Sequence, residues 1–196
     1  MHRKIIHGPP GTGKTFTLTK YLDKELNENK IDPQKIVYIS FSNAAAREAR
    51  RRIKDDLYHI GTMHSLGSNE LEIDTNTQLL KGSRWNSFKN FSQICRDLSF
   101  ESHVNEAGYV EYMNPNMKVI QYSRSRNLDL QQAAIDLDII HLVDLGFVEQ
   151  LNQDLKNFKD GTGMIEYSDM ISQFVDKRKC PAIDVVFLDE AQDLSP

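Results

Sequence analysis

Gly8-Pro9-Pro10-Gly11-Thr12-Gly13-Lys14-Thr15 fits the pattern G-x-x-x-x-G-K-[ST]. Glycine at these positions lets the backbone close into a tight concave turn whose N–H groups point inward at an anion. Lys14 can reach β- and γ-phosphates as a point charge, and the Thr15 hydroxyl can ligate Mg²⁺. The neighbouring sequence supplies the setting such a loop requires. Lys4-Ile5-Ile6-His7 reads as a short apolar strand. Phe16, Leu18, Leu22 and Leu26 begin a helix with an apolar face, whose positive N-terminal end would meet the phosphates. A Gly/Pro-rich surface turn would not need that strand–loop–helix order.

Outward from this loop, Ile36-Val37-Tyr38-Ile39-Ser40-Phe41 is β-branched and aromatic, as a buried strand should be. Ser42 and Asn43 are good N-cap residues for the Ala- and Arg-rich helix of residues 44–53. Residues 57–60 read as a further short strand, followed by Gly61-Thr62-Met63-His64-Ser65-Leu66. Near the end of the chain, Ile183-Asp184-Val185-Val186-Phe187-Leu188 is a second buried-strand pattern that runs into Asp189-Glu190. A hydrophobic strand ending in two acids is a weak signal alone and a strong one downstream of a complete phosphate loop. Asp189 would sit at the carboxyl edge of a parallel sheet and hold Mg²⁺ together with Thr15, and Glu190 would polarise an attacking water. These residues point to a nucleoside triphosphate site without choosing between ATP and GTP.

Residues 67–163 differ in character. Trp85–Leu98, Leu130–Leu145 and Phe147–Phe158 read as helices, with Phe88, Phe91, Ile94 and Leu98 at three- and four-residue spacing. This block holds 9 Lys+Arg and 14 Asp+Glu, against 24 and 28 in the whole chain of 196 residues, so the acidic excess lies here and not around the loop. A formal net charge of −4 gives no general attraction to nucleic acid, and any such binding must be local. Lys118, Arg124 and Arg126 near Tyr109, Tyr112 and Tyr122 interleave cations with rings, but core tyrosines with surface arginines account for that pattern better. Cys95 and Cys180 lie far apart and lack metal-ligand spacing. No apolar run would span a membrane and no signal peptide is evident, which points to a cytoplasmic protein.

Taken together, these motifs resemble the superfamily 1 helicases of the UvrD/Rep type. Gly8–Thr15 is similar to motif I, residues 39–48 to motif Ia, residues 61–66 to motif Ib and residues 186–195 to motif II in its DEAQD form. Tyr167-Ser168-Asp169-Met170 is similar to the [FY]-x-D-[LM] element that precedes motif II, and residues 122–127 resemble a segment of phage and archaeal members. The motifs cover about half of the chain. The resemblance implies an α/β P-loop NTPase (RecA-like) parallel sheet, incomplete, with a mainly helical insertion domain. The lobe would comprise residues 1–66 and 164–196, and the insertion residues 67–163.

The implied activity is an ATP-dependent, Mg²⁺-requiring DNA helicase or translocase working 3′→5′, in the host cytoplasm if phage-encoded. Implied roles are Lys14, Glu190 and Gln192 in catalysis, Gly8 to Thr15 on the nucleotide, and Thr15 with Asp189 on the metal. Phe41, Asn43 and His64 would contact single-stranded DNA. The basic helix of residues 47–54 would be mainly structural. The chain departs from the family pattern in having no glutamine motif before Gly8 and no motifs III to VI after Pro196. The expectation is therefore an N-terminal portion of a longer or split helicase. Its second RecA-like lobe, with the arginine finger, would come from the rest of the chain or a separate polypeptide. Alone it would be weakly active or inactive. A non-catalytic module binding single-stranded DNA or protein is the alternative, and a P-loop ATPase unrelated to unwinding is a third.

Overall fold

In the computed structural model of the chain, residues 4–6, 8, 11–104, 110–177 and 180–191 are described. They fall into two compact units. The first comprises Met1–Glu70 with Arg178–Ser195, the second Leu71–Lys177. These units divide at 70/71 and 177/178, so the segment 164–177 packs within the helical unit.

The first unit is built on a three-stranded parallel sheet, in the order β2 (His59–Gly61), β1 (Ile36–Ser40), β5 (Val185–Asp189). The register sets Ile39 opposite Gly61 and Ser40 opposite Asp189. All three strands therefore end at one carboxyl edge. β1 is buried along its whole length, as a central parallel strand must be. Alternation puts Ile36 and Tyr38 on the face that packs with Phe187 of β5 and with Leu22 of α1 (Lys14–Asn27). Ala49 and Ile53, from α2 (Asn43–Arg52) and its C-terminal cap, complete this core. Ser42 caps α2 by accepting from the Ala45 N–H at 3.1 Å. Arg50 donates to the Ile60 carbonyl and Arg52 pairs with Glu48. α3 (Met63–Glu70) follows β2.

Of the expected strand at residues 4–7, Lys4, Ile5 and Ile6 carry no ladder pairing among the described residues, Ile5 is exposed, and His7 lies outside the described residues. A strand exists only where its N–H and C=O groups find a neighbour, which apolar composition alone does not supply. Val186 and Leu188, on the face of β5 opposite to Phe187 and Asp189, are also exposed.

The second unit contains α4 (Arg84–Phe91), α5 (Pro115–Arg126), α6 (Leu130–Asp136), α7 (Leu145–Thr162) and α8 (Tyr167–Asp176), with a two-stranded antiparallel ribbon of β3 (Ser102–Val104) and β4 (Val110–Tyr112). Two expected helices are shorter than their apolar periodicity suggests. The run from Trp85 ends at Phe91 because Ser92 turns extended and donates its hydroxyl to Asp154 at 2.5 Å. The run from Leu130 breaks at Asp136, and Asp144 starts a new helix by accepting from the Phe147 N–H. At Asp144 a short polar side chain bonds nearby backbone, whereas at Ser92 the partner is a carboxylate distant in sequence. The core is aromatic: Trp85 stacks on Phe100 at 4.5 Å and meets Phe88 and Tyr112 edge-on.

Beneath this core lies a buried ionic cluster. Glu166 receives Arg124, Lys159 at 2.9 Å and the Tyr112 hydroxyl at 3.0 Å, and Lys159 also reaches Asp169 at 2.8 Å. Burial pushes the Glu166 carboxyl up, but Lys159, Arg124 and the hydrogen bonds outweigh it and hold the group below its ordinary value. Asp169 also accepts from the Glu166 N–H at 2.7 Å and so helps start α8.

Candidate nucleotide and nucleic-acid site

The turn expected to bind phosphate is shaped by its glycines. Gly11 and Gly13 sit at φ 80° and 77°, a region open to glycine at little cost. A Cβ on Gly8 would lie 2.6 Å from the Thr12 hydroxyl, so a side chain there would force Thr12 to shift. Gly13 leads directly into α1, whose first residues are Lys14 and Thr15. Lys14 Nζ donates to the Gly8 carbonyl at 3.0 Å, across the loop it would serve. Pro9 and Pro10 lie outside the described residues, as does Gln192.

The two acids that end β5 take different positions. Asp189 is buried and accepts three contacts from two hydroxyls. Thr15 Oγ1 lies 3.0 Å from Oδ2 and 3.3 Å from Oδ1, and the Tyr38 hydroxyl donates to Oδ2 at 2.9 Å. Burial first, then the neighbouring Asp189 carboxylate, pushes the Tyr38 phenol far above its ordinary value, so it remains a donor. Glu190 is half-buried and has left the strand at φ 57°, a left-handed conformation that a residue with a Cβ adopts only where its surroundings enforce it. Thr15 and Asp189 are 174 residues apart, and their contact unites the phosphate loop with the end of β5. Their oxygens, one hydroxyl and one carboxylate, are the hard donors Mg²⁺ takes, and the set fits that ion.

Phe41, Asn43 and His64 leave the carboxyl ends of the adjacent strands β1 and β2, at the same sheet edge as Asp189. Asn43 is exposed, while Phe41 and His64 are half-buried. Burial holds the His64 imidazole below its ordinary value and hence neutral at pH 7. The turn before it is tightly specified. Thr62 Oγ1 accepts from the Ser65 N–H at 3.2 Å, Ser65 Oγ accepts from the Thr62 N–H at 2.9 Å, and His59 Nε2 lies 3.0 Å from Ser65 Oγ. A Cβ on Gly61 would come within 2.4 Å of both the His59 ring and Ser65 Oγ.

A family model described as the UvrD/REP helicase N-terminal domain matches residues 2–196. The chain belongs to the UvrD/Rep helicase family. It is also similar to a probable DNA helicase II homolog of Rickettsia conorii and to one of Rickettsia felis, each 36% identical over 62 residues. The aligned segment spans 30% of this chain and 10% of each relative's length. The mixed α/β fold with its parallel sheet agrees with the family.

Within that frame, three side chains gain roles that their own sequence positions do not announce. Tyr38 reads as an ordinary core residue of a buried strand, yet its hydroxyl meets Asp189. Only the alternation that places residues 36, 38 and 40 on one face hints at this. Thr62 and Ser65 read as part of a motif, and they build the turn that presents His64. Arg124 and Tyr112, from the basic and aromatic segment considered for nucleic acid, are spent on Glu166, while Tyr109 lies outside the described residues. Among the described residues, no helix is long and apolar enough to cross a membrane.

Proposed function

We propose that this chain is the ATP- and single-stranded-DNA-binding portion of a DNA helicase or translocase of superfamily 1, moving 3′→5′ in its complete form. The observation that carries the reading is the Thr15–Asp189 contact at 3.0 Å, which joins the phosphate loop to the acidic end of β5.

In this reading the N–H groups of residues 8–15 and the N-terminal end of α1 bind the phosphates. Lys14 leaves the Gly8 carbonyl for the β- and γ-phosphates. Thr15 and Asp189 would hold Mg²⁺, which when bound would supply charge neutralisation at the phosphates. Glu190, held in its left-handed turn, orients the attacking water and takes its proton. Gln192 relays the state of the γ-phosphate to the DNA-binding loops. Phe41 and His64 offer rings to bases and Asn43 offers an amide, a combination that suits a single strand of any sequence.

The family description is of an N-terminal domain, and the relatives extend well beyond the aligned segment. We therefore assign the arginine that offsets transition-state charge to a second RecA-like lobe, on the same or a separate polypeptide. By the order of the motifs, we assign residues 1–66 and 164–196 to the ATP-binding lobe and 67–163 to an inserted helical domain, with 164–177 a segment of the lobe that packs within the helical unit.

Binding of a fluorescent ATP analogue in Mg²⁺ tests the reading. Lys14→Ala and Thr15→Val should each weaken binding more than about tenfold, the scale of a lost charged contact. Asn43→Ala and His64→Ala should weaken single-stranded DNA binding and leave nucleotide binding intact. Nucleotide affinity unmoved by Lys14→Ala would overturn the proposal.

A further inference from the structure

Asp189 is held from two sides. Thr15 approaches from the first turn of α1, and Tyr38 approaches from the middle of β1. Both reach Oδ2, while the weaker Thr15 contact of 3.3 Å is the one that Oδ1 receives among the described residues. The reach of Tyr38 follows from register. It pairs with Phe187, and Asp189 lies two residues further along the neighbouring strand, about 6.6 Å at a strand's rise per residue. A tyrosine leaning along its strand spans that distance with its hydroxyl. The ring cannot swing away. It is 0% exposed, and the Phe187 ring lies 6.4 Å from it at an interplanar angle of 24°.

We propose that Tyr38 is a positioning residue for the divalent-cation site: its hydroxyl fixes Oδ2 of Asp189 and leaves Oδ1 turned toward the cation. The inference rests on the reading of Asp189 as a metal ligand given above. An aspartate carboxyl rotates readily about its terminal torsion. A single flexible donor on Thr15 does not fix it, particularly when that same hydroxyl must also turn a lone pair to the metal. A second donor on a buried, stacked ring removes the rotation before the cation arrives, so less ordering is left to the binding step. Tyr38 touches neither nucleotide nor metal in this account.

The test is Mn²⁺ binding to the chain in the presence of ADP, read from the electron paramagnetic resonance signal of free Mn²⁺. Tyr38→Phe removes one oxygen and keeps the ring in the core. It should raise the Mn²⁺ dissociation constant about five- to tenfold, less than the full worth of one charge-assisted hydrogen bond because Tyr38 acts on the cation only through Asp189. ADP affinity in EDTA should stay unchanged, because the phosphate loop is untouched. Asp189→Asn should raise the constant by more than tenfold, and adding Tyr38→Phe to it should cost nothing further. If Asp189→Asn leaves Mn²⁺ binding unaltered, the metal-ligand reading fails and the inference goes with it. If Asp189→Asn weakens Mn²⁺ while Tyr38→Phe stays within about twofold of the unaltered chain, the role of Tyr38 alone is overturned. A Tyr38→Phe chain that loses ADP affinity in EDTA as well would show a general structural role, and that too overturns the inference.

Discussion

Lys159 is the cation shared by two carboxylates in the helical unit, and replacing it with methionine isolates that contribution. The Lys159 ammonium lies 2.9 Å from Glu166 and 2.8 Å from Asp169, with its side chain 11% exposed and that of Glu166 8%. Methionine keeps the aliphatic stem and removes the charge. Glu166 then retains Arg124 and the Tyr112 hydroxyl, while Asp169 retains the Glu166 N–H. Removing one partner of a buried ion pair costs about 3–5 kcal/mol, and because Arg124 remains, the lower end of about 3 kcal/mol applies. For a unit of roughly 100 residues, about 4 °C or more accompanies each kcal/mol, so the midpoint should fall by about 12 °C.

The sole tryptophan of the chain makes the assay specific. Trp85 is buried in this unit, and Tyr112, which bonds Glu166, packs edge-on against it at 5.8 Å. Its fluorescence therefore follows the unfolding of this unit and not of the sheet. Acid titration adds a second readout. The Glu166 carboxyl is held below its ordinary value of 4.5, so its stabilisation is fully present above that pH and is lost as pH falls through the folded-state value. Without Lys159 the folded-state value rises, and the acid transition should move to higher pH. A Trp85 midpoint lowered by less than about 3 °C, with an unmoved acid transition, would refute the account of Lys159 as the cation that holds the cluster.

Other perturbations address the sheet unit, best followed by calorimetry as the transition that Trp85 does not report. Gly61→Ala forces a methyl against His59 and Ser65, and should cost about 1–3 kcal/mol while weakening single-stranded DNA binding through the displaced His64 turn. Ser42→Ala removes the cap of α2 and should cost about 1 kcal/mol, with nucleotide binding preserved. Ser40 carries the one buried side-chain polar atom without a hydrogen-bond partner among the described residues. Ser40→Ala should therefore be neutral or stabilising by up to about 1 kcal/mol, and a loss of more than that would reveal a partner for its hydroxyl.

Local chemistry made much of the molecule legible before any fold was known. Gly11 and Gly13 mark the tight turn of residues 8–15 because few other residues permit their positive φ. The apolar run at 36–40 identifies a buried strand because both faces of a central parallel strand are covered, whereas the similar run at 185–189 forms a strand with Val186 and Leu188 exposed on one face. Ser42 shows as a cap for the same local reason. Helix ends in the second unit were less legible, since apolar spacing continues through Ser92 and Asp138 while their backbone departs from the helix.

Pairing lay wholly beyond the sequence. Whether residues 4–7 make a strand depends on a neighbour, and their composition is silent about one. The meeting of Thr15, Tyr38 and Asp189 depends on β1 lying beside β5 in one particular register, a choice made by cores packed from distant segments. A shift of one residue would have turned Tyr38 to the other face. The residue types that serve the site were therefore set by local chemistry, and their shared geometry by the packing of the sheet.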